Sequence, residues 1–114
     1  GVEAPIPVLE LESSTPVKFS RHLIVQGPGF RHNRHCGAII SDLCNLLTPQ
    51  AASMIDRAVY SRNRCFRVLN STKWGKESYL VPSNRSFPCA FSIEGLSAKE
   101  VWLRSLAVDP PSYP

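Results

Sequence analysis

The chain has 114 residues, of which 43% are hydrophobic, and carries a formal charge of +4 with a pI near 9.1. Such a length suits one domain with a modest core and excludes a two-domain enzyme, while the apolar content is that of a folding sequence. No apolar run approaches a membrane span, so a soluble protein without membrane partners is expected.

Ten prolines are many for this length, and six of them (Pro5, Pro7, Pro16, Pro110, Pro111, Pro114) lie near the two ends. Residues 1–17 therefore read as a Pro-rich extended entry, 109–114 as a tail, and 18–108 as the folded module. Within the entry, "PVLELESS" alternates briefly, as a short strand or an extended arm. "KFSRHLIVQ", residues 18–26, is the first firm strand. Two-residue periodicity there sets Lys18, Ser20 and His22 on one face, either as a solvated edge or as a site for phosphate. "GPGFRHNRHCG" reads as a loop. "AIISDLCNLL" carries apolar residues at helical spacing, and Thr48-Pro49 stops it. "MIDRAVYS" and "CFRVLNS" read as two strands of a hairpin turning at Arg62-Asn63-Arg64, and "ESYLVP" as a further strand. "SAKEVWLRSLA" begins with Ser97 and has Glu100 three positions on, a capping box before an amphipathic helix. The sum is an α/β or α+β domain whose mixed, largely antiparallel sheet has four or five strands and flanking helices.

Charge distribution says more than net charge. Between Arg57 and Lys76 there are six basic residues and no acid. Arg62, Arg64 and Arg67 alternate with Tyr60 and Phe66, so guanidinium forks for phosphate stand beside rings for bases. Solubility alone also accounts for arginines on a half-exposed hairpin. Asp56 is the lone acid nearby; it can hold a divalent cation, neutralise Arg57 or cap a turn. His32, His35, Cys36 and Cys44 match no structural zinc spacing. A Ser20/His22/Asp56 triad lacks a nucleophile elbow. The four cysteines lie far apart with no CxxC pair and no secretory signal before them; their even count permits disulfides, but the chain is larger than the usual disulfide-stapled scaffold, so reduced thiols in an intracellular compartment are expected.

Two stretches together resemble the archaeo-eukaryotic primase superfamily, most closely its PrimPol branch. "SSTPVKFSRHLIV", residues 13–25, resembles the segment around that family's Ser-x-His motif, here Ser20-Arg21-His22. "IDRAVYSRNRCFRVLNSTKWGK", residues 55–76, resembles its third motif, with Ile55-Asp56 leading into a Val-Tyr-x-x-Asn-Arg-x-Phe-Arg run. "SAKEVWLRSLAV" is similar to a helix near the end of the catalytic core. The resemblance covers most of residues 9–108 and implies a primase-polymerase, RRM-like module. By that resemblance Lys18, Ser20 and His22 contact the triphosphate of a nucleotide, and Arg64, Arg67 and Lys73 line the nucleotide side of the cleft. Arg62, Arg64 and Lys76 face nucleic acid, and Asp56 is a ligand of a catalytic Mg2+ or Mn2+. The resemblance also makes His22 and Asp56 the catalytic pair, converging on one cleft.

Three departures accompany it. The family's leading Asp-x-Glu motif has no counterpart here, because the chain begins too late. The interval from His22 to Asp56 is short, and Cys65 stands where the family has Asn. The implied activity is metal-dependent nucleotidyl transfer onto a DNA or RNA 3′ end in replication or damage tolerance, in nucleus or mitochondrion. With the carboxylate motif missing, this chain alone is expected to be inactive, with another chain as a source of the missing part. The alternative is a silent module that binds nucleic acid or serves as a structural subunit.

Overall fold

The computed structural model describes residues 6–27, 29–62 and 65–107. These form two compact units, one from residues 6–27 and 67–107, the other from 29–62 with 65–66.

The first unit is built on a hairpin that starts in the supposed entry. Val8–Glu12 is strand β1 and Arg21–Val25 is strand β2, antiparallel with Leu9 opposite Ile24 and Leu11 opposite His22. "PVLELESS" is thus a strand, and a central one. Its turn uses Pro16: Thr15 and Lys18 exchange backbone hydrogen bonds of 2.8 and 3.2 Å around Pro16-Val17, with proline at the position where its fixed φ suits a turn. Strand β3, Val81–Pro82, pairs antiparallel with the other edge of β1, giving the order β2-β1-β3. Proline at its second residue cannot donate to a ladder, which accounts for the shortness of β3 relative to the expected "ESYLVP". Beside it, Ser83 N–H donates to the Glu10 carbonyl at 2.8 Å, and Val8 makes a parallel bridge to Ala90. The fold is α+β with three antiparallel strands among the described residues, fewer than expected.

One face of this sheet is the core. Leu9, Leu11 and Ile24 pack with Leu69, Leu80 and Val101, while Phe91, Ile93 and Leu96 close the margin. Val101 comes from helix α3, Ala98–Arg104, whose N-cap is the expected Ser97: its Oγ accepts the Glu100 N–H at 3.1 Å. The opposite face carries Glu10, which is nonetheless buried. Arg85 grips both of its carboxylate oxygens, Nη2 to Oε1 at 2.7 Å and Nε to Oε2 at 3.0 Å. Arg21 lies 3.9 Å from Oε1 and also pairs with Glu12. The Arg85 hydrogen bonds hold the Glu10 carboxyl below its ordinary value against the opposing effect of burial.

The second unit is helical. Helix α1, Asn33–Leu46, starts earlier than "AIISDLCNLL" suggests, because His32 caps it: Nδ1 accepts the His35 N–H at 3.1 Å. The loop expected through Gly37 is therefore helical from Asn33 on. Gly37 has a packing reason, since a Cβ there would lie 2.7 Å from Tyr60 Cβ. Thr48 caps a short helix α2, Pro49–Ser53, with Pro49 at its first position. The two strands expected on either side of Arg62–Arg64 are not formed among the described residues, and residues 63 and 64 lie outside them. "MIDRAVYS" makes a 3-10 turn over Arg57–Tyr60, and residues 65–68 form no strand. Asp56 explains the difference, because its Oδ1 accepts the Ala58 N–H at 3.0 Å and tightens the chain where a strand needs extended backbone.

Candidate phosphate-binding site

Within the first unit, His22 ends the apolar face of β2. It stands across the ladder from buried Leu11 and two positions from buried Ile24, so its imidazole is half-buried. Burial lowers its pKa first, and the positive charges of Arg67 and Lys73 lower it further. Those two side chains are therefore electrostatic neighbours of His22, although they are far from it in sequence. Residues 68–80 fold Lys73 back: Asn70 takes a left-handed φ of 66° and its N–H donates to the Leu80 carbonyl at 2.7 Å, while Leu80 N–H returns a bond to Ser71 at 2.9 Å.

Arg67 is the informative member. Its Nε and Nη2 are sealed from solvent, and neither has a hydrogen-bond partner among the described residues. Leaving a buried donor unpaired costs about 1–3 kcal/mol, and more when the group is charged. Among the described residues no carboxylate pairs with this half-buried guanidinium, which shares the neighbourhood of His22 with the Lys73 cation. An anion entering there is the group that would offset both penalties.

The other sequence candidates are placed as follows. Ser20 precedes β2; its N–H donates to Ser14 Oγ at 2.9 Å and its hydroxyl accepts from Ser13 Oγ at 3.4 Å. Lys18 is exposed in the Thr15–Lys18 turn, so the strand alternation that grouped it with His22 stops short of it. Lys76 is exposed and closes a turn by donating its N–H to the Lys73 carbonyl at 3.0 Å. Arg62 and Asp56 belong to the second unit, both exposed, and Arg64 lies outside the described residues. Thus His22, Arg67 and Lys73 come together in one unit, while Asp56 serves the 3-10 turn of the other.

A divalent ion finds few donors in this arrangement. Among the described residues no group of three or more His, Cys, Asp and Glu side chains could hold a metal. Asp56 offers one carboxylate, already accepting from Ala58. That set does not by itself make the two-carboxylate, two-metal centre of phosphoryl transfer. His32 uses Nδ1 for its helix cap, and all four cysteines are free thiols.

The chain matches no family model, and no curated protein matches it. The geometry above is therefore what any functional reading must rest on, together with the motif resemblance. Sequence reasoning named His22, Arg67 and Lys73 through that resemblance. It missed the buried Glu10–Arg85 pair and gave Trp74 no role.

Proposed function

We propose that the first unit binds the phosphates of a nucleoside triphosphate at His22, Arg67 and Lys73, as part of a primase-polymerase core. The observation that carries this reading is the Arg67 guanidinium, two of whose nitrogens are buried with no hydrogen-bond partner among the described residues, near enough to His22 to act on its charge as Lys73 also does. Support also comes from the order and length of the two motif stretches, in which all three residues occupy the positions that the family gives to nucleotide contacts. In such a core the phosphate cradle orients the triphosphate and disperses its charge. The chain's own part is then binding and charge neutralisation. A bound divalent ion would supply electrophilic assistance to the transfer, with Asp56 as its single ligand from this chain.

Isothermal titration of a nucleoside triphosphate, with magnesium present, tests the site. Arg67→Ala is expected to weaken binding about 10- to 100-fold, the worth of one charge-assisted contact. Lys73→Ala acts in the same direction. An Arg67→Ala protein that binds as tightly as wild type sinks the assignment.

The depressed pKa of His22 adds a signed expectation. Free, the imidazole is held neutral by burial and by two cations. A polyanion reverses that field and favours the imidazolium, so binding takes up a proton and tightens as pH falls towards 6.5 and below. Titrations in buffers of different ionisation enthalpy report that uptake, and His22→Gln should abolish it.

Asp56 favours a second reading, a catalytically silent module of the same lineage that binds nucleic acid or supports a larger assembly. The carboxylate that catalysis would need is already the cap of a turn. Primer extension by the full assembly that contains this chain decides: extension lost in Asp56→Asn supports the polymerase, and extension indifferent to Asp56→Asn supports the module.

A further inference from the structure

Most large apolar side chains of the first unit touch something. Trp74 does not. Its relative exposure is 101%, more than that of any other large hydrophobic residue described. Tryptophan is among the costliest side chains to leave in water, so complete exposure on an ordered turn calls for a partner.

The turn is ordered. Lys76 N–H donates to the Lys73 carbonyl at 3.0 Å, Thr72 Oγ1 donates to the Lys76 carbonyl at 2.8 Å, and Gly75 supplies the required left-handed φ of 75°. The exposed indole therefore sits on a hydrogen-bonded turn whose sequence sets a lysine before it and another two residues after, Lys73 and Lys76. Lys73 also acts on His22 together with Arg67. The only adjacent acid is Glu77, just past the turn. A flat π surface flanked in sequence by cations fits a ligand that alternates flat rings with negative charges.

We propose that Trp74 stacks on a base of single-stranded nucleic acid whose backbone phosphate is held by Lys76, leaving Lys73 to the triphosphate. The proposal rests on the proposed nucleotide- and nucleic-acid-binding reading for the class of ligand, and adds the residue that would contact a base. Base–aromatic stacking is sequence-tolerant, because every base has a π face, so the grip is on strandedness rather than on sequence. Duplex DNA, whose bases are already stacked, should compete poorly.

The chain has two tryptophans, so a Trp102→Phe background isolates the Trp74 emission. Titration with an oligothymidylate of about 12 nucleotides at near-physiological salt is expected to quench that emission to a saturable limit. By anisotropy of the labelled oligonucleotide, Trp74→Ala should weaken binding about 5- to 150-fold, and Trp74→Phe should keep most of the affinity. An abasic strand of the same length should bind wild type and Trp74→Ala alike, since it has no ring to stack. Unchanged affinity in Trp74→Ala overturns the proposal, as does an equal loss on base-bearing and abasic strands. Quenching by anionic phospholipid vesicles but not by the strand overturns it in favour of a lipid surface.

A triphosphate titration run alongside separates the two readings. Strand binding through Trp74 with no triphosphate binding removes the triphosphate site and keeps the stacking. Triphosphate binding with strand affinity indifferent to Trp74 does the reverse.

Discussion

Leu80→Ala is expected to lower the stability of the first unit by about 2–5 kcal/mol, the range for truncating a buried leucine whose surroundings relax only in part. Leu80 has no exposed surface and packs in the cluster formed by Leu9, Leu11, Ile24, Leu69 and Val101. Its backbone is engaged as well, accepting from Asn70 and donating to Ser71. It therefore joins the segment carrying Arg67 and Lys73 to the sheet carrying His22. Domains of this size have only about 5–15 kcal/mol to lose, so a loss at the upper end approaches unfolding at moderate temperature. Urea titration followed by far-UV circular dichroism measures it. A surface control such as Val17→Ala, at 94% exposure, should change little. If the two substitutions behave alike, Leu80 is not in the core described.

Glu10→Gln should lower the thermal midpoint by several degrees at neutral pH and progressively less in acid. The side chain of Glu10 is only 2% exposed and both its oxygens bind Arg85, so the amide loses a bidentate charge-assisted pair and must turn an NH2 group towards a guanidinium. The sign with pH follows from linkage. The folded-state pKa of Glu10 lies below its ordinary value of 4.5. Its stabilisation is therefore fully present above that value and is lost as pH falls through the lower, folded-state pKa. Thermal melts of both proteins from neutral pH down through this window should converge. A constant gap at all pH values would show that shape, rather than ionisation, is what Glu10 supplies. Arg85 is the more exposed partner, at 55%, so salt should narrow the gap too.

These elements were unevenly legible in the sequence. Helix α3 was readable because its signal is local, a serine cap with glutamate three residues on, followed by apolar residues on one face. Strand β2 was readable from its apolar and β-branched run. The run from Met54 to Leu69 misled for a definite reason. Valine and tyrosine there have strand propensity, but Asp56 bonds the backbone two residues ahead and commits the chain to a turn. Strand β1 was half-legible, since "LELE" alternates; what the pattern hid is that the polar face is buried too, because Arg85, distant in sequence, neutralises it. The start of α1 was obscured by histidine in a capping position usually held by serine, threonine or aspartate.

The candidate site divides similarly. His22, Arg67 and Lys73 carry no periodic signal, and only the motif resemblance joined them. Trp74 was passed over because one aromatic in a loop leaves no pattern. Its signature was the immediate context, lysine before it and glycine then lysine after.

The strand order has a consequence for how the molecule is made. The middle strand of the sheet leaves the ribosome before either of its partners, yet one of its edges waits for Val81–Pro82 and Ala90, far later in the chain. Until then the nascent polypeptide can close only the β1–β2 ribbon, and an isolated two-stranded ribbon is marginal in water. Translation must therefore pass Ala90 before the first unit can lock, leaving Leu9 and Leu11 open to chaperones until then.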